Sequence, residues 1–153
     1  MSKGKRRQGR EIALQFLYGM RDQSGDWNRK LDEFLAHFRR PIDLSEDNFC
    51  TQEKGFSEET RLFAEELCRG VVEHLDRIDR VLVEISANWS LERMSRVDLA
   101  LLRLATYEIL FCTEIPVSVV LNEAIEIGKI YGTKETPAFV NGILDRVAKI
   151  HRK

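Results

Sequence analysis

Residues 95–112, SRVDLALLRLATYEILFC, decide the fold. From Arg96 to Cys112, apolar side chains cover nearly the whole circumference of a helix. Val97, Leu101, Leu104 and Ala105 lie on one side, and Leu99 and Leu110 lie opposite. A helix that is apolar all round must be surrounded by others, so this one is expected at the centre. Its start is marked by Ser95-Arg96-Val97-Asp98. In this capping-box pattern a serine hydroxyl accepts from the amide three residues on, and the acid there bonds back. Two carboxylates lie on the helix, Asp98 and Glu108. Ten residues of helix separate them by about 15 Å, beyond the roughly 5–9.5 Å of a glycosidase-type pair. Glu108 falls near the apolar face and needs a partner or an edge position.

Helical periodicity continues on both sides. Towards the C-terminus, Pro116 stands in the first turn of a helix with the stripe Val117, Val120, Leu121, Ala124, Gly128 and Tyr131, stopped by Gly132. Thr136-Pro137 opens the last helix, whose stripe is Val140, Ile143, Leu144, Val147 and Ile150. Gly142 in its middle costs about 1 kcal/mol against alanine. It is therefore expected to serve a close backbone approach, by another helix or by a ligand. Phe139 lies about 100° from Val140, at the rim of the stripe. It can cap the core edge or offer its face to a base, since exposed aromatics are a common reader of single-stranded RNA.

Towards the N-terminus, Ser57 is an N-cap candidate followed by Glu58 and Glu59. The run Ala64, Leu67, Cys68, Val71, Leu75, Ile78, Leu82 and Ile85 is too long for a typical single helix, so a bend is expected between Glu73 and Asp79. Residues 40–56 have no helical period and are expected to form a long loop. Trp27, Leu31, Phe34, Leu35 and Phe38 mark a second helix, ended by Pro41. The first helix is expected from about Arg6 to Arg21, with Ala13, Phe16, Leu17 and Met20 as its stripe. Arg10, Leu14, Tyr18 and Arg21 are placed on a flank beside it. Tyr18, about 140° from Ala13, is either an ordinary half-exposed tyrosine or a partner contact. With 9 Gly, 3 Pro and no β alternation in 153 residues, the chain is expected to be one all-α domain of about seven helices.

Charge is unevenly distributed. The net charge is −1, but the first ten residues carry Lys3, Lys5, Arg6, Arg7 and Arg10 and no acid, leaving −6 on the remaining 143. Such a run can be a solubility tail, an address label or a grip on something anionic. No uninterrupted apolar segment or small-residue cleavage site follows it, against a secretory signal. An Arg-rich transit peptide is excluded less readily, although this run passes directly into a core-like helix. A basic start on an acidic body suggests a footprint for phosphate. No stretch reaches the roughly 18 apolar residues of a membrane span. Cys50, Cys68 and Cys112 match no paired spacing and suit a reducing cytoplasm. His37, His74 and His151 have no ligand spacing, and no phosphate loop, nucleophile elbow or zinc-protease motif occurs. No metal, cofactor or catalysis is expected.

Four stretches, REIALQFLYGM (10–20), LERMSRVDLALLRLATYEIL (91–110), IPVSVVLNEAIEIGKIYG (115–132) and FVNGILDRVAKI (139–150), together resemble the NusB family of transcription antitermination factors. The resemblance covers nearly the whole chain, in order. It implies two small packed helical bundles, here about 6–88 and about 89–153, with a basic N-terminal arm over 1–10. It implies no catalysis and no cofactor. It also implies binding to boxA-type RNA of ribosomal leader transcripts jointly with NusE, a small-subunit ribosomal protein, on elongating RNA polymerase. Some members are homodimers that cover the RNA surface. The fold also serves as the RNA-binding arm of certain rRNA methyltransferases, for whose methyl-donor domain a chain ending at Lys153 has no room. By position, Lys3, Lys5, Arg6, Arg7 and Arg10 look like the RNA-contacting arm, and Glu135 and Phe139 like further RNA-surface residues. Tyr18 and Asp98 look like NusE contacts. Pro137 and Ala138 stand where many members carry polar or basic residues, so one backbone contact is expected to be missing.

Overall fold

A computed structural model describes residues 3–20, 25–39, 57–87 and 89–152. The expected loop at 40–56, with Cys50 and Pro41, lies outside them, as does Arg21. Among the described residues there are seven α-helices and no strand. They are α1 (Lys3–Tyr18), α2 (Trp27–Arg39), α3 (Glu58–Glu73), α4 (Leu75–Ile85), α5 (Arg96–Phe111), α6 (Val117–Tyr131) and α7 (Thr136–His151), with a 3-10 turn at Leu91–Arg93 before α5.

The centre is α5. Every residue from Leu99 to Ile109 is buried, and the helix packs against α1, α3, α4, α6 and α7. Each fully buried leucine, such as Leu101 or Leu102, stabilises the fold by about 1.5–3 kcal/mol. On one side α1 and α2 pack on α3; on the other α4 and α6 pack on α7. The two groups share α5 and one continuous apolar core. On α3, Gly70 lies against the Tyr107 ring so closely that an added Cβ would fall 2.1 Å from Cζ. Only a glycine lets the two helices approach this far.

The local signals act largely as expected. Ser57 Oγ accepts from the Thr60 amide at 3.2 Å. The long third run breaks at His74 into α3 and α4, and the imidazole stacks on Phe111 at 4.0 Å between centroids. Ser95 Oγ accepts from the Asp98 amide at 3.0 Å, but the Asp98 carboxylate does not bond back. It accepts instead from Thr136 Oγ1 at 2.7 Å, tying the start of α5 to the start of α7. Pro116 stands one position earlier than expected, as the N-cap of α6.

The first helix departs most. It spans Lys3–Tyr18 rather than about Arg6–Arg21, and ends in short turns from Gly19 to Phe16 and from Met20 to Leu17. From Lys3 onward the basic run is therefore the first two turns of α1, not a tail. Two arginines secure the centre, Arg103 buried and Arg152 half-buried. Arg103 donates to both Asp79 oxygens at 2.9 Å and to the Met20 carbonyl at 2.6 Å, joining α5 to α4 and to the end of α1. Arg152 donates to the carbonyls of Glu108, Ile109 and Cys112 at 3.0–3.1 Å, adding to the backbone bonds that Glu108 accepts from the Cys112 amide and Cys112 from the Ile115 amide, and so ties the C-terminus of α7 to that of α5.

Candidate nucleic-acid interface

The basic run divides by direction. Lys5 is exposed, 3.8 Å from Glu59. Arg6 is half-buried, with its guanidinium 5.0 Å from the Phe63 ring centroid. Arg7 turns towards α6, where its Nε donates to Glu123 Oε2 at 2.9 Å. Hydrogen bonding to that carboxylate pushes its pKa up, against the opposing effect of burial. Arg10 is only 2 % exposed. Its Nη2 donates to Glu108 Oε1 at 2.7 Å, its Nε reaches both Glu108 oxygens at 3.1 Å, and its Nη1 reaches Glu123 Oε1 at 3.4 Å.

This four-residue cluster joins α1 to α5 and α6. Burial pushes the Glu108 carboxyl up, the Arg10 guanidinium opposes it by hydrogen bonding and charge, and neighbouring Glu123 adds to the rise. Glu108 thus has the partner its position demanded. In this conformation the Arg10 guanidinium faces inward, away from any phosphate at the surface. The flank beside the stripe, where the spacing places Arg10, is itself buried at this position. The helical projection contained the signal, because Arg10 lies only about 20° from Leu17, and Leu14 of the same flank is also buried.

The second group of expected site residues gathers at the opposite end of α5. Arg7 and Tyr18 are 11 residues apart on α1, about 16 Å. Tyr18 is 46 % exposed, and the Arg96 guanidinium at the start of α5 stands 5.7 Å from its ring. Half-buried Asp98 lies one half-turn along α5 and holds Thr136. Glu135, exposed at the N-cap of α7, accepts from Thr133 Oγ1 at 3.2 Å. Phe139 follows one turn later, half-buried, with Trp89 edge-on to it at 5.6 Å. Tyr18 therefore stands beside the start of α5, and Asp98 ties that start to the start of α7, which carries Glu135 and Phe139, apart from the basic turn. Sequence reasoning missed Trp89, which precedes the 3-10 turn where no periodicity marks it, and Glu123. Pro137 is half-buried and Ala138 exposed. Among the described residues no group of three His, Cys, Asp or Glu could hold a metal ion, and no helix is long and apolar enough to cross a membrane.

The NusB family model matches residues 7–149. The chain belongs to the NusB family. A transcription antitermination protein NusB from Syntrophotalea carbinolica is 51 % identical over 152 residues, covering 99 % of this chain and 97 % of the relative. The NusB of Geobacter sulfurreducens is 46 % identical over 145 residues, covering 95 % and 94 %. Among solved structures, T. maritima NusB superposes with a TM-score of 0.74 at 37 % identity, covering 97 % of this chain and 93 % of that one. A crystal structure of antitermination factors NusB and NusE with double-stranded RNA superposes with a TM-score of 0.73 at 19 % identity, covering 97 % and 99 %. At that identity it speaks for the NusB fold alone.

Proposed function

We propose that this NusB-family protein is a non-enzymatic, cytoplasmic RNA-binding transcription antitermination factor. It binds boxA-type single-stranded RNA of ribosomal leader transcripts together with NusE, and the assembly helps elongating RNA polymerase resist premature termination. The observation that carries the proposal is the family match over nearly the whole chain, with relatives named as antitermination proteins.

The geometry supports a division of labour. Lys3, Lys5 and Arg6 in the first turns of α1 supply the phosphate grip, displacing counterions without reading sequence. Arg7 and Arg10 hold that helix in place. Phe139 with Glu135 faces the RNA, and Tyr18 with Asp98 faces NusE. A body of net negative charge makes the free protein a weak RNA binder, and a basic partner completes the surface. Fluorescence anisotropy with a short boxA-type RNA, with and without NusE at two salt concentrations, tests this. Specific, salt-sensitive binding that tightens with NusE is expected. No binding by the two folded proteins together contradicts the proposal and favours a homodimeric scaffold.

A further inference from the structure

Trp89 is 52 % exposed although it is the largest side-chain type, and nothing in the core requires it there. It is held in place. Its amide donates to the Ser86 carbonyl at 2.8 Å, while Ser86 Oγ donates to the Leu82 carbonyl at 2.5 Å and reaches the Trp89 carbonyl at 3.3 Å. Its ring meets Phe139 at 71°, so one edge is fixed while half its surface remains open. One turn beyond Phe139 on α7 is Gly142, the mid-helix glycine whose expected neighbour is absent from the described residues. A Cβ added there meets nothing within 4 Å. The surface beside the two rings is therefore low, and its helix backbone is bare. Arg93 and Glu92 line the groove that Trp89 borders.

We propose that Trp89, Phe139 and the bare backbone at Gly142 form a seat in which one base of single-stranded RNA stacks on the indole. The inference rests on the RNA-binding function above and adds Trp89 and Gly142 to it. A flat ring fixed at one edge, with a shallow floor beside it, suits a planar ligand better than a protein side chain, which would favour a pocket. The opposed charges of Arg93 and Glu92 make the groove a poor bare-phosphate track. They leave stacking on the rings as the main attraction.

The test is anisotropy with boxA-type RNA in the presence of NusE, for Trp89→Ala, Trp89→Phe and Gly142→Gln, with thermal unfolding of each. Trp89→Ala is expected to weaken RNA binding about tenfold or more without changing the salt slope, because stacking releases no counterions. Trp89→Phe keeps most of the affinity. Gly142→Gln, a better helix former than glycine, leaves the melting temperature unchanged or higher while RNA affinity falls. If wild-type protein binds RNA and both Trp89→Ala and Gly142→Gln bind equally well, the seat is wrong and the RNA-binding function stands. If Trp89→Ala weakens NusE binding without RNA by as much as it weakens RNA binding, the surface is a protein site and the seat is overturned. If wild-type protein binds no RNA, the broader function fails and the seat fails with it.

Discussion

The two ends of α5 use polar and aromatic residues in opposite ways. At its C-terminal end, the densest run of positive charge in the sequence turns partly inward, where Arg7 and Arg10 meet Glu108 and Glu123. At its N-terminal end, residues that would ordinarily fill a core, Tyr18 and Trp89, stay in solvent. A cation in a basic run is therefore not a surface cation by default, and an aromatic in a helical protein is not a core residue by default. What decides is what the neighbouring helices offer. Here α5 and α6 offer two buried carboxylates at one end and none at the other.

The largest break in this comparison comes from Arg10→Met. Removing one partner of a buried ion pair leaves an uncompensated carboxylate, at a cost of about 3–5 kcal/mol. Chemical denaturation should show that loss. A change below about 1 kcal/mol would mean that Arg10 behaves as a surface residue. Tyr18→Ala sharpens the other end. Its ring contributes little to the core, so stability should shift by less than about 1 kcal/mol, while NusE affinity, read by titration calorimetry, should fall by about 2 kcal/mol, as at a hot-spot aromatic. The reverse pattern, with stability reduced and partner affinity kept, would make Tyr18 structural.

A smaller effect follows from pH. Burial pushes the Cys68 thiol up to about 12 and that of Cys112, at the inward end of α5, up to about 11. Burial, with a hydrogen bond to Glu11, likewise holds Tyr131 up at about 12. These groups stay neutral in the fold but ionise at ordinary values in the unfolded chain. Their contribution is therefore complete below the ordinary thiol value of 9.0 and is lost as pH rises towards the raised values. The melting temperature should be level from about pH 7 to 8.5 and decline above about pH 9. A level profile to pH 11 would contradict the burial of these thiols.

Much of the architecture was legible because it depends on periodicity. The all-round apolar α5, the Ser57 and Ser95 caps and the break near His74 all follow from spacing within one element. The points that sequence reasoning missed are relations between elements. Whether Asp98 bonds back to its own cap or across to Thr136 depends on where α7 starts. Whether Arg10 faces solvent depends on Glu108 and Glu123, 98 and 113 residues away. Trp89 precedes a 3-10 turn with no period to mark it, and its role follows from Phe139, on a different helix. The family resemblance indicated the candidate site residues but not which of them face outward.

The most direct test of the division within α1 is the salt dependence of boxA-type RNA affinity, in the presence of NusE, for wild-type protein and for Lys5→Ala/Arg6→Ala. If the outward cations are the grip, the slope of log affinity against log salt becomes shallower by about 1.4, roughly 0.7 for each single-strand phosphate that is no longer neutralised, while the fold remains as stable as before. An unchanged slope in a folded double variant would contradict this division and place the phosphate grip elsewhere on the molecule.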